Sequence, residues 1–278
     1  TQENIITVKG HVKRPGMTAW KPGVRVSQSL GDIRELLPNP DLNAALIQRE
    51  VMPTRTLSVL VFNLGDALTL PGSSADLQLQ PRDTIMVFDL ETDRAKQLEP
   101  VIKRLRTQAT RQNRQKVVSV VGNVRFPGNY PLSNQMSAQQ LIQLAGGLNQ
   151  NAYDLEAEIT RYSLDEQQRQ SINYVELPLA SAEQHLLQPE DRLNIRRLPD
   201  WAPEEIIEIT GEVMFPGKYT IRRGETLSQV LQRAGGLTDQ AYPQGAIFTR
   251  KELQQLEAQR LKELRQRLES DIAAANIE

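Results

Sequence analysis

The chain has no cysteine and only two histidines among its 278 residues. Disulfides and thiolate metal sites are therefore excluded, and His11 and His185 have no ligand-spaced partner. Aromatic residues make up 5% of the chain, so its cores must be mainly aliphatic. No apolar run reaches the roughly 18 residues that a membrane-spanning helix needs. The net charge of −1 gives no overall bias toward nucleic acid or an anionic membrane. The G-x-S-x-G, H-E-x-x-H, Walker and EF-hand patterns are all missing, so no catalytic residue, metal site or cofactor is expected. The opening T-Q-E-N-I-I-T-V has neither a basic n-region nor an apolar h-region. The chain reads either as cytosolic or as a fragment lacking its targeting segment.

What the chain does have is repetition. With Gly122 placed on Gly211, residues 118–161 match residues 207–250 without a gap, at 17 identities in 44 positions. G-x-V-x-F-P-G-x-Y recurs, as do A-G-G-L and A-Y-x-x-x-A-x-x-T-R. A weaker third copy opens the chain, with Gly10, Pro15 and Gly16 in the places of Gly122, Pro127 and Gly128. The first two copies share a closing phrase, L-Q-P-R-D-T-I at 79–85 and L-Q-P-E-D-R-L at 187–193.

Each phrase has a structural reading. Val118, Val120, Gly122 and Val124 alternate, as do Ile207, Ile209, Gly211 and Val213, which is the period of a half-buried strand. A glycine on the inward face implies a bulge or close approach of another backbone. Pro127-Gly128 and Pro216-Gly217 read as turns into a second strand. Ser137 with Gln140, and Thr226 with Gln229, form capping boxes for short helices. Gly146-Gly147 and Gly235-Gly236 end those helices. In the first copy the helix is expected to run on through Ile33 and Leu37 until Pro38. Third strands are expected at A-L-I-Q, A-E-I-T-R and A-I-F-T-R, further strands near 57–64 and 172–177, and closing strands at 84–88 and 192–196. The order β-β-α-β-β is β-grasp-like, an α+β class. Asp83 and Asp191, after the closing prolines, read as turn-formers.

The expected domains are repeat 1 over 1–92, a linker over 93–115, repeat 2 over 116–198, a partial repeat 3 over 199–250 and a helix over 251–278 inserted in repeat 3. The stretch 93–116 carries eight basic residues and two acids. It reads as a solvated linker helix or as a basic surface for an acidic glycan. The closing phrase is absent after Arg250, where a Leu-striped helix of about 25 residues, roughly 37 Å long, begins instead. That stripe calls for a packed, coiled-coil-like partner, and the missing phrase implies a fragment of a longer protein.

The ordered set G-x-V-x-x-P-G-x-Y, amphipathic helix, A-G-G-L and L-x-P-x-D resembles the SLBB domain, a soluble-ligand-binding β-grasp. Tandem copies resemble those of bacterial polysaccharide export proteins, the outer-membrane auxiliary proteins of capsule and exopolysaccharide secretion. That resemblance implies a non-catalytic periplasmic module, a homo-oligomeric ring, passage of polysaccharide and an inner-membrane polysaccharide co-polymerase as partner. It implies neither nucleic-acid binding nor insertion in the membrane. The rival readings are a small-ligand or adaptor protein, and a carbohydrate-processing enzyme. Candidate contact residues are Phe126 and Phe215, with Arg14 in the same place in copy one; each suits either a subunit, repeat or glycan contact or local packing over the turn. Trp201 suits an inter-repeat contact or stacking on a sugar. Trp20, aligned with Leu132 and Ile221, reads as core.

Overall fold

The computed structural model describes residues 4–164, 169–199, 205–222, 224–249 and 258–269. The chain divides into two units, Thr1–Trp201 and Ala202–Glu278. The first repeat contains β1 (Ile5–Gly10), β2 (Gly16–Ala19), α1 (Val26–Leu30), β3 (Pro40–Val51), β4 (Thr56–Phe62), α2 (Leu64–Thr69) and β5 (Thr84–Asp89). After α3 (Arg94–Thr107), the second repeat contains β6 (Val117–Gly122), β7 (Gly128–Pro131), α4 (Ala138–Leu144), β8 (Ala152–Leu164), β9 (Gln170–Pro178) and β10 (Arg192–Arg197). The two sheets have the same order, β2-β1-β5-β3-β4 and β7-β6-β10-β8-β9. In each, the closing strand lies parallel to the first strand and antiparallel to the third. The fold is α+β, with tandem β-grasp domains.

The alternation read from the sequence sets the inner faces. Ile6, Val8, Ile47, Ile85 and Val87 form the first core with Val26 and Leu30 of α1. Val118, Val120, Ile159, Leu193 and Ile195 do the same in repeat 2 with Leu141 and Ile142 of α4. Gly10 and Gly122 have positive φ, 90° and 85°. A Cβ there would sit 2.0 Å from the carbonyl oxygen of Val87 or Ile195, so the closing strand packs where a side chain would be. Asp83 and Asp191 do more than shape a turn. Each accepts the backbone N–H of a local Gln, at 2.7 and 2.8 Å. Each also takes a two-pronged ion pair from the third strand, Arg49 to Asp83 (3.0 and 2.7 Å) and Arg161 to Asp191 (2.9 and 2.7 Å). This pair ties the closing turn to the sheet in both repeats.

Three expectations need correction. The helix of copy one does not reach Pro38: Gly31 turns out at φ 78°, and only a 3-10 turn, Ile33–Glu35, follows. Leu64 does not belong to a strand; it starts α2, capped by the Asn63 side chain accepting from Asp66 N–H. Pro127-Gly128 is not a two-residue turn. The backbone loops from Gly122 to Gly128, and Val124 bridges Leu148 just beyond α4. Gly128 has room only for a hydrogen, because a Cβ would lie 2.6 Å from that of Ala95 on α3.

The largest correction concerns α3. It is no solvated linker. Leu98, Val101, Ile102 and Leu105 are buried in one core with Ala44, Leu46, Leu57, Val59 and Phe88 of repeat 1 and the α4 side of repeat 2. The outer face of the first sheet is thus as dry as its inner face, and the two repeats share one body. Strand β3 shows this in its sequence: Ala44, Ala45, Leu46 and Ile47 are all fully buried, the mark of a strand covered on both sides.

The second unit contains β11 (Glu205–Ile209), β12 (Gly217–Ile221) and α5 (Leu227–Arg233). Ile209, Val213, Val230 and Ala234 make its small core. Residues 246–249, expected as a strand, are not in one. No closing strand lies beside them among the described residues to hold them extended. Residues 258–269 are helical, and Leu261, Leu264 and Leu268 are exposed. The outer parts of the predicted helix, with Leu253, Ile272 and Ala275, fall outside the described residues, and so does Trp201.

Candidate functional site

Phe126 and Phe215 sit in equivalent places. The backbone N–H of each donates to the alanine ending the adjacent helix, Phe126 to Ala145 (2.9 Å) and Phe215 to Ala234 (3.0 Å). Each ring lies over the first glycine of A-G-G. A Cβ at Gly146 would come 2.8 Å from the Phe126 ring, and one at Gly235 would come 2.9 Å from that of Phe215. Gly146, Gly147, Gly235 and Gly236 also have positive φ, from 80° to 87°, so the pair ends the helix while the first glycine admits the ring. Tyr130 and Tyr219 donate their hydroxyls to the Phe126 and Phe215 carbonyls, which fixes the loops. Burial raises the Tyr130 pKa well above the usual phenol range. Copy one does without this contact: Arg34 occupies the place of Gly146, and Arg14 pairs with Glu35 at 3.4 Å. Trp20 packs on the first core and donates its indole N–H to Leu79 at 2.8 Å.

Phe126 has a further neighbour that the sequence did not reveal. Arg94, fully buried, places its guanidinium 5.2 Å from the Phe126 ring and 4.7 Å from that of Phe88. It forms an ion pair with buried Asp41 at 2.7 Å. It donates to the carbonyls of Asp89 (2.8 Å) and Leu144 (2.7 Å), the second at the C-terminal end of α4, where a cation is favoured. One side chain therefore joins repeat 1, α3 and repeat 2. Phe215, with no such cation over its ring among the described residues, is 62% exposed.

A second ionic cluster ties the far end of α3 to repeat 1. Glu50 accepts from Arg104 at 2.8 Å and Arg55 at 3.2 Å, with Arg82 at 3.6 Å. The Arg104 hydrogen bond is the main cause of a lowered Glu50 pKa; burial opposes it and Arg55 reinforces it. Because the folded-state pKa is depressed, this stabilisation is complete above the unfolded carboxylate value and is lost as pH falls through the folded one. Glu50→Gln is expected to cost about 1 kcal/mol at pH 7, allowing for partly exposed arginines. Urea unfolding of the two proteins should converge on acidification; a pH-independent difference would contradict the assignment.

The outer face of the second sheet is the candidate ligand surface. It is the counterpart of the face that repeat 1 buries under α3 and α4. In repeat 1 the row across the strands runs Met86, Leu46, Val61. In repeat 2 the corresponding positions are Asn194, Glu158 and Glu176. The next row carries Arg192, Thr160 and Tyr174, and beyond it Tyr162 pairs with Ile172. Val121, Glu158, Thr160, Tyr162, Tyr174 and Asn194 line a shallow hollow of about 320 Å³. Tyr174 is 69% exposed. The sequence held a signal for this face: Glu156, Ala157, Glu158, Ile159, Thr160 alternates, whereas the equivalent stretch of repeat 1, Ala44, Ala45, Leu46, Ile47, is an unbroken apolar run.

The two repeats are thus small β-grasp units, with one sheet face used for packing and its equivalent left polar. A family model, the SLBB domain, matches residues 117–169 and 206–255. SLBB domains occur in polysaccharide export proteins and are binding modules, not catalytic ones. Repeat 1, which that model does not match, has the strand order of repeat 2, an inward Gly10 and the equivalent Arg49–Asp83 pair. No curated protein matches the chain. Among the described residues, no helix is long and apolar enough to cross a membrane.

Proposed function

We infer that the chain is a non-catalytic periplasmic module of a capsular or exopolysaccharide export protein. The observation that carries this reading is the contrast between two equivalent sheet faces. One is apolar and packs on the next repeat; the other presents tyrosines among amide, hydroxyl and charged groups. A sugar ring has apolar C–H faces and a polar rim, and exposed Tyr174 with half-buried Tyr162, beside Thr160, Asn194 and Glu158, match both parts. Phe215 offers a further aromatic contact for glycan or subunit, and Arg14 a cationic one. Phe126 belongs instead to the contact between repeats. In the whole protein, such modules stack into the wall of a ring-shaped homo-oligomer through which polysaccharide passes. A co-polymerase of the inner membrane is the protein partner of that ring.

Titration of the chain with size-defined neutral and uronic-acid-containing oligosaccharides, followed by amide chemical shifts, tests the site. Shifts are expected on β8, β9 and β10. Tyr174→Ala should weaken binding several-fold, the equivalent of about 1 kcal/mol. Binding that ignores both Tyr162→Ala and Tyr174→Ala would remove this face from the reading.

A further inference from the structure

The third repeat keeps a feature that it does not use. Gly211 has φ 92°, the same strand-end conformation as Gly10 and Gly122. In those repeats the space beside the glycine is filled by the backbone of the closing strand, whereas among the described residues nothing lies within 4 Å of a Cβ built at Gly211. Along β11, only the edge paired with β12 is occupied among the described residues.

The other side of the gap is also present. In repeat 2, β10 lies between β6 and β8, with Leu193 opposite both Val120 and Ile159, and Ile195 opposite Gly122 and Ala157. The corresponding residues in repeat 3 are Ile209, Phe248, Gly211 and Ala246. Ile159 is fully buried, whereas Phe248 is 67% and its neighbour Ile247 88% exposed. Arg250 stands in sequence where Arg49 and Arg161 bind the aspartate of the closing turn. By comparison with repeat 2, the edge of β11 beside Gly211 is where one further strand would lie, and exposed Ile247 and Phe248 are the counterparts in sequence of residues that flank that strand.

We propose that the third repeat is a strand acceptor, completed by an extended segment of closing-strand chemistry, L-x-P-x-D-x-[IL]-x-[IV], that inserts parallel to β11. The occupant is not one of the two such segments in residues 1–278. β5 and β10 are each hydrogen-bonded on both edges in their own sheets, with Ile85, Leu193 and Ile195 fully buried. Main-chain bonds to β11 give affinity. The alternate aliphatic residues fill the open core.

The probe is a synthetic peptide of the β10 sequence, L-Q-P-E-D-R-L-N-I-R-R (residues 187–197), added to the isotope-labelled 278-residue chain. Saturable amide shifts are expected at 207–211 and 246–250, with slowed hydrogen exchange at 207–211. Gly211→Ala costs the unliganded repeat only the strain of its positive φ, because its Cβ meets no described atom within 4 Å, yet it should weaken peptide binding at least about tenfold by blocking the backbone. As a check that needs no change in the protein, the same peptide with serine at the positions of Leu193 and Ile195 should not bind. Absence of shifts with the natural peptide would overturn the proposal. So would protection of 207–211 that rises with protein concentration alone, since a second copy would then be covering the edge.

Discussion

Gly122→Ala is expected to destabilise the first unit by about 4 kcal/mol or more, while Gly211→Ala costs the second unit only about 1–2 kcal/mol. Both glycines have φ near 90°, and forcing alanine into that region accounts for the smaller figure. At Gly122 the new methyl would also lie 2.0 Å from the Ile195 carbonyl oxygen. That atom is backbone in a paired strand and cannot swing aside. Relief requires β6 and β10 to separate, at a cost of about 1 kcal/mol or more for each ladder bond lost. For a unit of this size the total corresponds to a fall in Tm of roughly 10 °C. Calorimetry of the two variants checks the pair, and equal penalties would refute the close-approach account of Gly122.

Arg94→Ala is expected to cost about 3–5 kcal/mol, because it strands a buried carboxylate instead of merely deleting a contact. Asp41 is 1% exposed and would lose its counter-ion. The Leu144 and Asp89 carbonyls would lose a charged donor at the same time. Arg94→Lys should rescue little, since one ammonium cannot reproduce a planar fork that serves Asp41 and two carbonyls between two rings. Removing both charges is the informative control: Arg94→Met with Asp41→Leu should recover much of the loss, as apolar replacements of buried ion pairs do. Urea unfolding followed by far-UV circular dichroism measures all three. A loss below about 1 kcal/mol for Arg94→Ala would show that Asp41 finds water or another partner, and the locking role would fall.

Much of the fold was legible because it is written more than once. Period-two runs, inward glycines and helix-ending glycine pairs recur at fixed spacing, and repetition separates them from chance. Elements without a counterpart were harder. α2 has its Asn63 cap but is only six residues long, too short for helical periodicity to show. α3 reads as solvated because the eight basic residues of 93–116 outweigh a four-residue apolar stripe, and nothing local distinguishes an arginine bound for the interior from one bound for water. The candidate site was missed for a related reason. Its residues become a site only when the outer faces of two sheets are compared, although the alternation in β8 and its absence in β3 already differ in the sequence. Phe126 and Phe215 share a motif but not a role, and the difference lies in Arg94, far from either in sequence.

The double coverage of β3 has a kinetic consequence. Its amides cannot meet solvent by loosening of repeat 1 alone, because Ala44 and Leu46 are roofed by repeat 2 and α3. Hydrogen exchange at β3 should therefore report opening of the whole block, with rates that match those of β6 and β10, whereas β11 exchanges independently through local opening. Two domains by topology would then behave as a single foldon, with α3 as the staple.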